Sequence, residues 1–391
     1  MHPPVPGILC LNGGSSSLKF AVYRMDSGER CVARGKVERI GADAACHFDF
    51  PGEETGTHTG TPPKNHAAAL AVILDKLEAA GVTFNAVGHR VVHGGQFTES
   101  QRASDEVTTG LQRIAPFDPE HMPAALAGIQ QLAEARPEIE QVLCFDTVFH
   151  RSMPAVARTF PIPFEYRESG LQRYGFHGIS YQYLVEELAR VAPDESDQRV
   201  VLAHLGNGAS MAAVQAGRCV DTTMGFTPTG GLIMGTRSGD LDPGVLLFLM
   251  EREGLSIDQL TKLVNSQSGL HAVSGGVSDV RDLLACEQTN ADAALAIEMF
   301  CHSAAKHLAA MSASLGGLES IVFSGGIGEH EPVIRRRICE RLVHLGVVLD
   351  VKANAQNSAV ISAADSAVNV RVIATNEELM IARFTARLLA T

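Results

Sequence analysis

Positive charge is scarce in this chain. Lys and Arg number 32 against 44 Asp and Glu, a formal charge of −12. That balance speaks against a non-specific nucleic-acid binder or an anionic-membrane binder, which need a basic surface. It leaves room for an anionic substrate, because a few arginines in a cleft reverse the local field. Long apolar runs are also missing. The strongest, 245–250 and 67–74, fall far short of the roughly 20 residues of a membrane helix. The start lacks a basic region followed by an apolar one, so it reads as no signal peptide. Trp is absent, and so is any C-x-x-C pair among the eight cysteines. Most of those cysteines sit among apolar residues and read as reduced, buried thiols of a cytoplasmic protein. Neither G-x-x-x-x-G-K-[ST] nor G-x-G-x-x-G occurs, which removes the P-loop and Rossmann fingerprints.

What is present is a long chain with a large apolar fraction. It has 391 residues, 45% hydrophobic and 19% charged, enough for two or three domains with substantial cores. Residues 8–12 read as a buried strand, 13–17 as a turn and 18–23 as a second strand. A turn-rich β stretch follows to about residue 60. Helical spacing marks 67–80, 123–135 and 291–315, and short strands mark 87–92, 142–145, 319–323 and 370–373. The strand 142–145 delivers Asp146 at its end. Residues 200–214 repeat the strand–turn–strand pattern of the opening, 192 positions later. Two similar hairpins suggest a duplicated α/β fold with the active site between its halves. Thr375 and Glu378 stand at capping-box spacing before a final helix.

Gly-rich turns follow strands at 13–17, 206–210, 230–235, 275–276 and 325–328. Any one of them is an ordinary tight turn by itself. Together, with basic residues nearby, they suggest backbone N–H groups that cradle phosphate oxygens.

Eight motifs, in order along the chain, resemble the acetate kinase family. They are Asn12-Gly-Gly-Ser-Ser-Ser-Leu-Lys19, Gly88-His-Arg90-Val-Val-His-Gly-Gly, Phe145-Asp146-Thr-Val-Phe-His150, Tyr174-Gly-Phe-His177-Gly, His204-Leu-Gly-Asn207-Gly, Met234-Gly-Thr-Arg237-Ser-Gly-Asp-Leu-Asp-Pro, Gly326-Ile-Gly-Glu-His330 and Thr375-Asn-Glu377-Glu. The resemblance implies a duplicated ribonuclease-H-like, actin-like ATPase fold. It would comprise a domain of 1–150 plus 372–391 and a nucleotide-binding domain of 151–371. It implies reversible, Mg²⁺-dependent phosphoryl transfer from ATP to acetate, with Mn²⁺ as an alternative metal, in a cytoplasmic homodimer. Asn12 and Glu377 would place the metal. Lys19 with Ser15 and Ser17 would face the phosphates. Arg90 would bind the substrate carboxylate, and Val92, Phe176 and Pro228 would surround the acyl group. Asp146 is the family's active-site acid, and His177 and Arg237 would stabilise the transition state. His204, Leu205, Gly206, Asn207 and Gly208 would hold ATP. So would Asp279, Val280 and Arg281, and Gly326, Ile327, Gly328, Glu329 and His330.

The chemistry suits this cast. A carboxylate nucleophile is already ionised at neutral pH, so no general base is required. The difficulty is to bring an anion against a charged γ-phosphoryl group, which calls for cations and positioning. Asp146 therefore reads as an organiser of the metal or of an arginine rather than as a proton acceptor. Arg90 could instead be a salt-bridge residue within a sheet, and His177 a helix cap. His93 and His150 read as satisfied core histidines, and Glu377 lies where a helix dipole favours acids anyway.

The family's Leu-His-Asn-Pro is replaced by Glu120-His121-Met122-Pro123. A carboxylate at that point of the acyl pocket would be awkward unless it turns outward. The segment Asp118-Pro-Glu reads as an exposed loop, which favours the outward case. Other departures are Tyr181, Gly230 and His330. A short-chain acyl kinase for propionate or butyrate would share all the phosphoryl-transfer residues. An actin-like nucleotide-gated binding protein would need the turns but not Arg90, Asp146, His177 and Arg237 together.

Overall fold

The computed structural model describes residues 7–14, 16–26, 28–41, 43–50, 56–57 and 62–390. The chain packs as two units. One takes the residues up to Val148 together with Gly178–Ser180 and those from Asn376 on; the other takes Phe149–His177 and Tyr181–Thr375.

The sheet of the first unit is built from β1 (Gly7–Gly13), β2 (Ser17–Arg24), β3 (Arg30–Glu38), β4 (Ala45–Asp49), β5 (Gly56–Thr57), β6 (Phe84–Val91), β7 (Gln101–Arg102) and β8 (Glu140–Phe145). Their spatial order is β5-β4-β3-β2-β1-β6-β8-β7. β1, β2 and β3 are joined antiparallel, whereas β6 and β8 continue parallel from β1. In the second unit β9 (Arg199–Leu205), β10 (Ala209–Gln215), β11 (Arg218–Thr222), β12 (Ser320–Ser324) and β13 (Asn369–Val372) stand in the order β11-β10-β9-β12-β13. Here too β9–β11 are joined antiparallel, and β12 and β13 continue parallel from β9. The central order β3-β2-β1-β6-β8 is thus repeated strand for strand. This is a duplicated α/β fold of the ribonuclease-H-like, actin-like ATPase type.

The helix His66–Ala79 forms because Asn65 caps it, its side chain accepting from Ala68 N–H at 2.8 Å. Its buried positions Ala69, Leu70, Ile73 and Leu77 lie on one face and pack on Leu9, Leu11, Leu18 and Phe20 of the sheet. Full burial of each large apolar side chain contributes about 1.5–3 kcal/mol. The helix Glu377–Leu389 lies against β1 and β6. A methyl group on Gly88 would strike Ile381 Cγ2 and Thr385 Oγ1, so glycine sets that close approach. In the second unit Tyr181, Leu184, Leu188, Val200, Leu202 and Val214 form an equivalent core.

Three local details differ from the sequence reading. The cap of the last helix is Asn376, which accepts from Leu379 N–H at 3.0 Å; Thr375 lies one residue outside. Residues 325–328 are not an open turn but start a short helix, Gly325–His330, with Gly325 at φ +74. Cys31 is exposed and Cys286 half-buried, while the other six thiols are buried.

Candidate active site

The expected site residues of the first unit stand at or near strand ends. Asn12 closes β1, Arg90 lies near the end of β6, and Asp146 follows β8. Parallel pairing of β1, β6 and β8 aligns these ends, so three distant stretches of sequence meet. Arg90 donates to Asp146 Oδ2 from Nε at 3.0 Å and from Nη2 at 2.7 Å. Its Nη1 donates to Asn12 Oδ1 at 3.0 Å. Asn12 Nδ2 in turn donates to Glu377 Oε2 at 2.7 Å and Glu378 Oε1 at 2.9 Å. The two glutamates open the last helix, where acids suit the dipole. Glu378 was not among the expected site residues. Its adjacency to Glu377 in the first turn was the available signal.

Asp146 is fully buried and the Arg90 side chain is 15% exposed. Burial pushes the Asp146 carboxyl above its ordinary value; Arg90 opposes this and Glu377 adds to it. Burial works against the Arg90 charge, but Asp146 first and Glu377 next outweigh it, and the guanidinium is held cationic. Arg90 is therefore oriented rather than consumed by its ion pair: a guanidinium has five N–H groups, and three of them make these bonds.

Lys19 pairs with Asn12 across the β1–β2 hairpin and its side chain is exposed. Gly14 N–H donates to Ser17 O at 2.8 Å to tighten the turn. Ser15 lies outside the described residues. Val92 is buried and, with Arg90, lines a small cavity of about 50 Å³. His121, Ala124, Ala125 and Gly128 line it too. Glu120 is exposed. Asp118, expected in an exposed loop, is buried instead, and His121 Nδ1 donates to its carboxylate at 2.9 Å.

In the second unit, His177 precedes the helix Gly178–Val191 with φ +57, a left-handed backbone rare outside glycine. It occupies the cap position, yet its side chain makes no capping bond. The ring instead meets Ser210 Oγ through Nδ1 at 2.8 Å and stacks on His204 with centroids 4.4 Å apart. Ser210 and His204 are cross-strand partners in the β9–β10 hairpin, which explains why one ring touches both. Tyr181, one turn into the helix, also reaches Ser210 Oγ. Ser210 and Tyr181 were not expected as site residues.

Arg237 donates from Nη1 to Pro228 O at 3.2 Å. A methyl group on Gly208 would lie 3.4 Å from Nε2 of His177 and 3.5 Å from Nη1 of Arg237. His177, Arg237 and the 206–208 turn therefore share one corner. Gly235 N–H donates to Asn207 O at 3.1 Å, and a Cβ at Gly235 would strike Asn207 Oδ1, so the Arg237 loop is seated on that turn. Phe176 and Pro228 are both buried in this unit.

A cavity of about 360 Å³ is lined by Gly206, Asn207, Asp279, Val280, Arg281, Gly326, Ile327 and His330, with Ser278 and Glu331 as additions. Three separated stretches thus converge. Asp279 caps the helix Val280–Cys286 through Arg281 N–H at 2.8 Å. Arg281 also grips its carboxylate, holding it below the ordinary value. Leu205 and Gly328 are buried beside the cavity rather than lining it. Glu329 turns inward, and its Oε1 accepts from Gly325 N–H at 2.9 Å and Thr375 N–H at 3.1 Å. His150, as expected of a core histidine, is buried, with Nε2 donating to Phe176 O at 2.9 Å.

The model of the acetokinase family matches residues 7–383. An acetate kinase of Halothermothrix orenii is 43% identical over 97% of this chain and 99% of its own length. One of Thermotoga maritima is 41% identical over 97% of each. The crystal structure of Porphyromonas gingivalis acetate kinase superposes with a TM-score of 0.87 at 37% identity, covering 98% of this chain and 100% of the other. That of a propionate kinase from Francisella tularensis gives 0.91 at 35%, covering 98% and 99%. With a family match across nearly the whole chain and full-length relatives at about this identity, the chain belongs to the acetokinase family.

Proposed function

We propose that this protein is a carboxylate kinase that moves the γ-phosphoryl group of ATP reversibly onto acetate, giving acetyl phosphate and ADP. The observation that carries the reading is Arg90: its guanidinium is fixed by Asp146 and Asn12 with N–H groups left for a further anion. A second carboxylate or phosphate oxygen is the natural acceptor for such groups.

The acid's carboxylate attacks the γ-phosphorus as the bond to the β-bridging oxygen breaks. Arg90 holds the acid, and Asp146 fixes the plane of Arg90. Arg237 and His177 neutralise charge on the equatorial oxygens in transit. The 206–208 turn, the 279–281 segment and the helix Gly325–His330 hold the nucleotide. No proton need be removed from the nucleophile, which is why a buried carboxylate paired to an arginine suffices here.

Asn12, Asp146, Glu377 and Glu378 supply oxygen donors, three of them carboxylates, against the single guanidinium of Arg90. Such a set fits Mg²⁺, which takes oxygen ligands and keeps much of its water and phosphate shell. Among the described residues no three His, Cys, Asp or Glu side chains are grouped to hold a metal by themselves, so phosphate oxygens and water would have to complete the shell. When bound, the ion would neutralise phosphate charge; Asn12 and Glu377 would hold it, with Mn²⁺ able to substitute.

A homodimer belongs to this reading. Leu247, Phe248 and Met250 on the helix Pro243–Arg252, with Ile257 close behind, expose an apolar face suited to a second copy. Eight unpaired cysteines support a cytoplasmic setting as part of this reading. Among the described residues no helix is long and apolar enough to cross a membrane.

A second reading, a propionate or short-chain acyl kinase, draws on the cavity beside Arg90 and Val92, whose small neighbours Ala124, Ala125 and Gly128 leave space for a longer tail. The deciding experiment traps acyl phosphate as hydroxamate, from ATP with formate, acetate, propionate and butyrate. Acetate should give the highest kcat/KM. No product from any acid would refute the assignment.

A further inference from the structure

The loop 231–240 carries Arg237 and is closed on itself by Asp240. Asp240 N–H donates to Gly231 O at 2.9 Å, and Gly231 N–H donates to Asp240 Oδ1 at 2.8 Å. Gly231 is held at φ +90 against the backbone of Thr223, so this closure has little slack. The other oxygen, Oδ2, faces Nε2 of His307 at 3.2 Å. His307 sits on the long helix Ala291–Ser314, and its Nδ1 faces the carbonyl of Ser303 at 2.9 Å. Both partners are acceptors only: a carbonyl, and a carboxylate held below its ordinary value by His307 first and by Gly231 N–H. A ring that satisfies both must carry a proton on each nitrogen, which is the imidazolium form.

We propose that His307, in its charged form, is a positioning residue that clamps Asp240 and thereby fixes the loop that presents Arg237. This rests on the reading of Arg237 as the group that neutralises transferring phosphate. The charged group near Asp240 other than His307 is Arg173, whose field also favours the carboxylate and whose own donors reach carbonyls of Ala157, Thr222, Thr223 and Met224. As a bare surface ion pair the contact would be weak, since the Asp240 side chain is 71% exposed and that of His307 13%. Its leverage comes from Oδ1, which the same carboxylate lends to the loop closure.

The test compares wild type, His307→Gln, His307→Lys, Asp240→Asn and the double variant His307→Gln/Asp240→Asn. Two readouts are taken: steady-state kinetics, and amide hydrogen exchange of residues 231–240. The expected result is a kcat lowered roughly fivefold in His307→Gln with KM for ATP within about twofold. Asp240→Asn should match it and the double variant should add little. His307→Lys, which keeps a cationic donor, should keep at least about half of kcat. Loop amides should exchange faster in His307→Gln alone among the two His307 variants. Unchanged loop exchange in His307→Gln overturns the proposal. So does a loss of activity and melting temperature together that lysine fails to rescue. Failure of the underlying reading looks different: Arg237→Leu would remain active whatever the His307 variants do.

Discussion

Arg90 directs two of its N–H groups at a single oxygen of Asp146, at 3.0 and 2.7 Å, and a third at Asn12. The arginine is anchored on a buried carboxylate. A locked guanidinium meets an incoming anion with less ordering cost than a free one. The pair therefore acts as one unit, and removing either partner strands a buried charge.

Asp146→Asn should lower kcat at least about a hundredfold, as expected when a buried pair is broken. Arg90→Lys should cost a similar factor, and the double variant should be little worse than either single one. Multiplicative losses in that cycle would show that Asp146 acts independently of Arg90, as a general base would. Because burial raises the Asp146 pKa, its carboxylate is neutralised and the ion pair lost as pH falls through that raised value. Activity should fall on the acid side accordingly.

Replacement of Arg237 by Leu should reduce kcat by roughly 10³-fold or more while KM for ATP changes little. A charge used mainly in the transition state behaves this way. Circular dichroism establishes that the variant is folded. Retention of more than about a tenth of kcat would remove Arg237 from the reaction.

Glu120 is exposed, so Glu120→Leu should shift the acetate-to-propionate ratio of kcat/KM by less than about threefold, some 0.7 kcal/mol. His121, paired to Asp118, faces the cavity beside Arg90 in its place. A tenfold gain for acetate in Glu120→Leu would mean that the carboxylate reaches the acyl pocket.

His89 and His150 are buried and their pKa values are pushed down to about 4, by burial in each case. The unfolded chain takes up protons near the ordinary value of about 6.5, before the folded chain does. Stability therefore falls as pH drops between these values, by about 2 kcal/mol per ring at pH 5. Urea unfolding at pH 7.5 and 5 measures this. His150→Asn should flatten the pH slope even though its baseline stability is lower; an unchanged slope would show that His150 is not part of it.

Phe248→Glu on the exposed face of Pro243–Arg252 should convert a dimer into a monomer in sedimentation without unfolding it. A charge buried in an apolar interface lacks a partner there. An unchanged sedimentation coefficient would remove this face from the proposed dimer.

Much of the molecule was written locally. The two hairpins, the helix of residues 66–79 and the strand that ends at Asp146 follow from apolar period, cap and turn chemistry, all of which act over a few residues. The ordered motifs named the family and most of the candidate site residues. Tertiary structure alone decided which of them meet. Glu378 joins Glu377 at Asn12 because Gly88 lets the last helix press against β6. Ser210 meets His177 because the β9–β10 register sets it opposite His204. Asp118, which reads as a loop residue, is buried because His121 lies one helical turn away to pair with it. The helix is capped by Asn376 rather than Thr375, a one-residue difference that spacing does not encode. Sequence patterns report the preferences of neighbours along the chain. Strand pairing, close backbone approach and buried ion pairs are energies between residues up to hundreds of positions apart, and they are settled only when the sheets close.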